Sequence, residues 1–136
     1  MKIIKNKNTL KRLIDGMSNI SFIPTMGSLH EGHLSLIKKA KAKKGKVIVS
    51  IYINPKQFNS HKDFKDYPRN LKKDLKMLKR LKIDLLFIPS YKDIFSFQMQ
   101  NNLYLHKSSK YLCGKYRPGH FLGVVNIVNR FLEIIN

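Results

Sequence analysis

At 136 residues with 43% apolar side chains, the chain is sized for one domain around a single modest core, and no apolar run is long enough to span a membrane. One cysteine excludes an internal disulfide framework, and Met1 to Asn8 holds too few consecutive apolar residues for a secretory leader, so a reducing cytoplasm is expected. Against 8 Asp plus Glu stand 27 Lys plus Arg, a formal +19 that raises nucleic acid as a partner. The excess is mostly lysine spread along the chain, however, and reads as background with non-specific polyanion binding.

In chain order, Thr9 as N-cap and Gly16 as stop bracket a helix over 9–16. Ile20 to Ile23 reads as a short buried strand over 20–24, ended by Pro24, which offers no N–H to a ladder. Gly27 permits a tight turn. A helix over 33–43 follows, with Leu34, Ile37 and Ala40 inward, Lys38, Lys39, Lys41 and Lys43 outward, and Gly45 beyond its end.

The run 46–53 is almost continuously apolar and β-branched, the pattern of a strand buried on both faces of a parallel sheet. Asn54-Pro55 ends it, and a polar loop runs from Lys56 to Arg69. The spacing of Leu71, Leu75, Leu78 and Leu81 predicts a helix over 70–82, with Lys72, Lys73, Lys76, Lys79 and Arg80 on its solvated side. A third buried strand spans 83–88 and is closed by Pro89. Ser90 caps a helical turn over 91–95, residues 101–106 alternate weakly as an extended segment, and a last helix covers 121–134. Strand, helix, strand, helix, strand makes a right-handed βαβαβ unit: an α/β, Rossmann-like parallel sheet with flanking helices. Ligands sit at the carboxyl ends of such strands. Three exits, Pro24 to His33, Asn54 to Phe58, and Pro89-Ser90, would converge there.

The first exit carries the chemistry. Phe22-Ile-Pro-Thr-Met-Gly-Ser-Leu-His-Glu-Gly-His33 places His30 and His33 at a helix N-terminus just after a strand, where amide groups and the helix dipole attract phosphate. Two imidazoles there can donate hydrogen bonds to phosphoryl oxygens as charge builds on them. Spacing alone leaves a second reading open, two surface histidines capping an ordinary helix. A zinc helix needs histidines at i and i+4, whereas these stand at i and i+3. Cys113, His61, His106 and His120 are scattered, so no metal site is expected. No Gly-Lys-Ser/Thr follows a glycine-rich loop, which argues against a P-loop.

Pro24-Thr-Met-Gly-Ser-Leu-His-Glu-Gly-His33 resembles the nucleotide-binding signature of the HIGH-type nucleotidyltransferase fold. Three further stretches, Ser50 to Phe58, Asp66-Tyr-Pro-Arg69 and Arg117-Pro-Gly-His-Phe-Leu-Gly123, sharpen the resemblance to the pantoate–β-alanine ligase (pantothenate synthetase) family. It extends over the whole chain. It implies an adenylating ligase that uses ATP with Mg2+, joins pantoate to β-alanine through pantoyl adenylate, and works as a homodimer. Carried onto this sequence, Met26, Gly27, Ser28, Leu29, His30, Glu31, Gly32 and His33 would line the ATP site. His33 would be the proton donor and His30 a phosphate ligand. Gln57 would bind pantoate and then β-alanine, and Asn54, Arg117 and His120 would border the site, a structural role being open for the last two. The same resemblance makes residues 1–136 an N-terminal ATP- and pantoate-binding domain, incomplete at its C-terminal end. A Gly-Glu-Lys-Asp stretch, a second pantoate glutamine, a serine-rich nucleotide loop and a small C-terminal domain have no counterpart here. Two alternatives remain. One is a basic nucleic-acid-binding remnant of the fold; against it, arginine occurs only at 12, 69, 80, 117 and 130. The other is a different HIGH-type adenylyltransferase, which the Asn54 and Arg117 stretches disfavour. Neither a membrane nor a specific nucleic acid is an expected partner.

Overall fold

Four short parallel strands carry the molecule: β1 (Lys2–Ile4), β2 (Ile20–Thr25), β3 (Lys46–Ile51) and β4 (Leu85–Phe87), in the spatial order β1-β4-β3-β2. The computed structural model describes residues 1–99, 106–111, 117 and 119–136. Helices α1 (Lys7–Ile14), α5 (Tyr91–Phe95) and α6 (His120–Ile135) contribute to a core on one face, built from Ile4, Leu10, Ile48, Phe87, Ile94, Ile127 and Phe131. Helices α2 (Glu31–Lys41) and α4 (Leu71–Arg80) cover the other, burying Ile37 and Leu78 against Val47, Val49, Ile51 and Leu86. The successive apolar residues of β3 are shared between the two cores, because side chains on a strand alternate faces. That is why its sequence is apolar at Val47, Ile48, Val49 and Ile51, with only Ser50 between them.

Several expectations are corrected. Residues 2–4 form a fourth strand. The pair Ile3-Ile4 is too short to display a period, and pairing with β4 recruits it. Helix α1 starts at Lys7 rather than Thr9, because the Asn6 carboxamide oxygen caps the amides of Asn8 and Thr9. Pro24 does not stop its strand: it pairs with Ser50 inside β2. The proline is tolerated because β2 is the edge of the sheet among the described residues. The loop over 56–69 contains a further helix, α3 (His61–Asp66), capped by Ser60. The Arg69 guanidinium closes its far end, donating to the carbonyls of Phe64, Lys65 and Tyr67. Residues 101–105 of the extended segment lie outside the described residues, and His106 instead caps a 3-10 turn over Lys107–Lys110. In α4 the inward stripe differs too, since Leu71 is exposed and Asp74 takes a buried place. The lysines at 38, 39, 41, 72, 73, 76 and 79 do face solvent, as their amphipathic spacing requires.

Candidate active site

The turn between β2 and α2 is built by two consecutive left-handed residues, Gly27 at φ +76° and Ser28 at φ +50°. Thr25 starts it: its hydroxyl donates to the Ser50 carbonyl (2.8 Å) and accepts the Gly27 amide (3.1 Å). Glycine is required at 27 on two counts. Its φ is positive, and a Cβ would stand 3.0 Å from an Asp74 carboxylate oxygen. Ser28 adopts a conformation that costs a non-glycine residue about 1–2 kcal/mol. The surroundings hold it there. The Ser28 amide donates to Asp74 Oδ2 and the Leu29 amide to Asp74 Oδ1, both at 2.9 Å, and Ser28 Oγ donates to the Pro68 carbonyl at 2.8 Å.

His30 follows as the N-cap of α2. Its Nδ1 accepts the Gly32 amide at 3.2 Å, while His33 Nδ1 accepts the His30 amide at 3.4 Å. A ring nitrogen that accepts carries no proton, so each neutral imidazole keeps its hydrogen on Nε2 and presents a donor there. The ring centroids are 4.0 Å apart. Burial, and then the neighbouring His30, hold His33 below its ordinary 6.5, while the Asp74 carboxylate pulls the other way. His33 is therefore a neutral donor at pH 7. Glu31, in the first turn of α2, is exposed.

Gln57 is positioned by α6. Asn54, only 1% exposed, opens the 3-10 turn Pro55–Gln57 by accepting the Lys56 amide (3.2 Å), and its own Nδ2 donates to the Gly123 carbonyl (3.3 Å). A Cβ on Gly123 would lie 2.6 Å from the Lys56 carbonyl oxygen, so α6 approaches this turn as only glycine allows. His120 Nδ1 lies 2.9 Å from the Gln57 carbonyl. A carbonyl only accepts, so this imidazole carries its proton on Nδ1, the opposite tautomer to His30 and His33.

Two cavities of about 280 Å³ each open here. One is lined by Gln57, Phe58, Asp63, Asp66, Tyr67, Arg117 and His120 together with Met26. The other, over the exits of β2, β3 and β4, is lined by Gly27, Ser28, Tyr52, Asp74, Ile88 and Pro89, again with Met26. The three strand exits thus converge as the sequence led one to expect, although Ser90 is spent on capping α5. Met26, Gly27, Ser28, Gln57, Arg117 and His120 reach a cavity; Asn54 lies buried behind the Gln57 turn, and His30 and His33 line neither cavity. Sequence reasoning missed Asp74 and Tyr67. The signal for Asp74 was present, since a carboxylate stands one helical turn before Leu78 inside the apolar stripe of a helix otherwise surfaced with lysine. Tyr67 packs edge-on against Phe58 at 5.4 Å, and burial first, then Asp74, raise its phenol above the ordinary 10.0.

The sequence model of the family "Pantoate-beta-alanine ligase" matches residues 2–136. The pantothenate synthetase of Fervidobacterium nodosum is 43% identical over 139 residues, covering 99% of this chain and 50% of that protein. That of Thermosipho africanus is 41% identical over 134 residues, 98% of this chain and 48% of the other. Among solved structures, the Francisella tularensis pantoate-beta-alanine ligase complexed with beta-gamma ATP and β-alanine superposes with a TM-score of 0.90. It is 41% identical, over 99% of this chain and 53% of that one. The chain spans about half the length of the curated relatives it matches.

Proposed function

The chain belongs to the pantoate–β-alanine ligase family, and we propose that it forms the ATP- and pantoate-binding part of an enzyme condensing pantoate with β-alanine. The observation that carries this reading is the meeting of two cavities at Met26, with the phosphate turn beside one and Gln57 beside the other. That arrangement suits a reaction in which a nucleotide and a small hydroxy acid must touch. ATP and β-alanine gain support from the Francisella relative, whose structure contains beta-gamma ATP and β-alanine.

In the first step a pantoate carboxylate oxygen attacks the α-phosphorus, the bond from that phosphorus to the bridging oxygen breaks, and pyrophosphate leaves. In the second the β-alanine amine attacks the acyl carbon, the carbon–oxygen bond to phosphate breaks, AMP departs, and the amine loses a proton as the amide forms. The Nε2–H of His33, and of His30 beside it, would donate to phosphoryl oxygens as charge grows on them. A neutral imidazole suits this role, being a donor that is not already paired to an anion. Gln57, with both donor and acceptor on its amide, would hold the hydroxy acid. His120 and Asn54 would keep the Gln57 turn in place, with Arg117 at the cavity wall. Among the described residues no three His, Cys, Asp or Glu side chains group as metal ligands. Magnesium accordingly belongs to this reading as the companion of the ATP phosphates, and no step is assigned to it. Residues 1–136 would be the N-terminal domain of a cytoplasmic homodimer, with further charge-neutralising groups in the portion the relatives have in addition.

The test is to join this chain to the remaining half of the Fervidobacterium nodosum relative and follow AMP release. AMP release that requires pantoate and β-alanine together is the expected result. A folded chimera that releases no AMP, or releases it without pantoate, would overturn the proposal.

A further inference from the structure

The amides of the turn, which a strand-to-helix phosphate site would ordinarily offer to its ligand, are already occupied. Gly27 N–H goes to Thr25, and Ser28 and Leu29 N–H go to the two oxygens of Asp74. That carboxylate is 2% exposed, and among the described residues no cation pairs with it. A buried carboxylate is tolerable only when hydrogen-bonded, and here two consecutive backbone amides do that work. It fills the place beneath the turn that an external oxyanion would take. Those three amides are thus closed to a nucleotide phosphate, which leaves it to be met by the groups that follow, the imidazoles of His30 and His33 beside the Glu31 amide in the first turn of α2.

We propose that Asp74 is the positioning residue of this site: by binding the Ser28 and Leu29 amides it fixes the left-handed turn and the start of α2. It thereby sets where the two imidazoles stand and withdraws the Ser28 and Leu29 amides from phosphate recognition. The inference rests on the ligase reading only for the identity of the ligand; the clamp itself stands on the geometry. Asp74 comes from α4, more than forty residues away in the chain. It ties the phosphate turn to a helix that otherwise only covers the sheet. Besides Asp74, the ionisable group that acts on His33 is His30.

The experiment uses the 136-residue chain and its Asp74→Asn variant, which keeps the shape, removes the charge and leaves one acceptor oxygen. Leu78→Ala, one turn further along α4, serves as a control that destabilises without touching the turn. Backbone amide exchange, imidazole ¹⁵N shifts and an ATP titration are read by NMR. In the parent, Ser28 and Leu29 should rank among the protected amides, and both rings should show Nε2–H with an accepting Nδ1. In Asp74→Asn those two amides should exchange about tenfold to a hundredfold faster, the factor expected for loss of a charge-assisted bond. ATP should bind at least tenfold more weakly. His33 should titrate lower, because the carboxylate that favoured its imidazolium is gone. A carboxylate that only propped up a loose turn would predict the opposite, since a newly exposed His33 would titrate higher. Unchanged exchange, tighter ATP binding, or a Leu78→Ala control with the same turn-specific losses would each overturn the proposal. If Asp74→Asn does not fold, the parent decides alone, since unprotected Ser28 and Leu29 amides would refute the clamp. A parent with the predicted protection and tautomers that binds no ATP would instead refute the ligase reading and leave Asp74 in place.

Discussion

Two helix starts in this molecule solve the same problem with different chemistry. At α5, Ser90 and Asp93 cap each other: Asp93 Oδ2 accepts the Ser90 amide (3.0 Å) and hydroxyl (2.6 Å), and Ser90 Oγ accepts the Asp93 amide (3.2 Å). The second Asp93 oxygen accepts the Lys7 amide at 3.0 Å, tying α5 to the start of α1. At α2 the partners are His30 and His33, and each ring uses only Nδ1. The carboxylate box brings a negative charge to the positive helix end and spends both oxygens on the protein. The imidazole box satisfies the backbone without bringing charge, and keeps a donor in reserve. Reciprocal capping is a stability device in one place and, on the function proposed above, a preparation for chemistry in the other.

That contrast fails or survives on three substitutions. The largest effect is expected for His33→Ala in the chimera described above. Pantoyl-adenylate formation in single turnover should fall about 10²–10³-fold, far more than ATP affinity weakens, as for a donor aimed at developing charge. Equal rates for parent and variant would reduce the imidazole box to a simple cap. Gln57→Ala sharpens the comparison from the second cavity. The Michaelis constant for pantoate should rise about tenfold, the order expected for one hydrogen-bonding partner lost to a charged ligand, while ATP binding stays constant. Calorimetric titration of both ligands checks this, and a matching loss for ATP would mean the two cavities do not divide the substrates.

The smallest effect belongs to the carboxylate box. Asp93→Asn should cost about 1 kcal/mol in urea denaturation and leave ATP binding alone. Burial by itself would raise the Asp93 carboxyl, but hydrogen bonds from Ser90 and the Lys7 amide hold it below its ordinary 3.8. Its contribution is therefore complete above that value and fades as pH falls through the folded-state pKa. Parent and variant should converge in stability only as pH falls well below 3.8, through that depressed folded-state pKa. A difference that persists undiminished there would show that the box does not rely on charge.

The parallel sheet and its crossover helices were legible because long-range patterns govern them: the nearly continuous apolar run of β3 survives packing, and so does most of the leucine spacing of α4. The histidine turn was legible as a motif, and the converging exits followed from topology. What escaped were contacts between segments distant in sequence. Ile3-Ile4 is a strand only because β4 lies beside it. Asp74 stands inside the apolar stripe of α4, which marks it as buried, but its partners Ser28 and Leu29 lie more than forty residues away. The tautomer of His120 depends on a carbonyl 63 residues away. Local pattern does not name the partner in any of these pairings.

The proline inside β2 has a consequence for whatever lies along that edge. Asn19 and Thr25 direct their carbonyls to β3, accepting from Lys46 and Tyr52. By alternation, residues 20, 22 and 24 direct their backbone groups outward. Ile20 and Phe22 can each give and take a hydrogen bond there, but Pro24 can only take one. A polypeptide laid alongside β2 thus finds its full footing at the start of the strand and a missing donor next to the histidine turn. Zippering can begin at Ile20 yet weakens just where it would crowd His30 and His33. Any pairing along this edge is thus steered to the start of the strand, and the approach to the histidine turn is disfavoured for adventitious β-pairing.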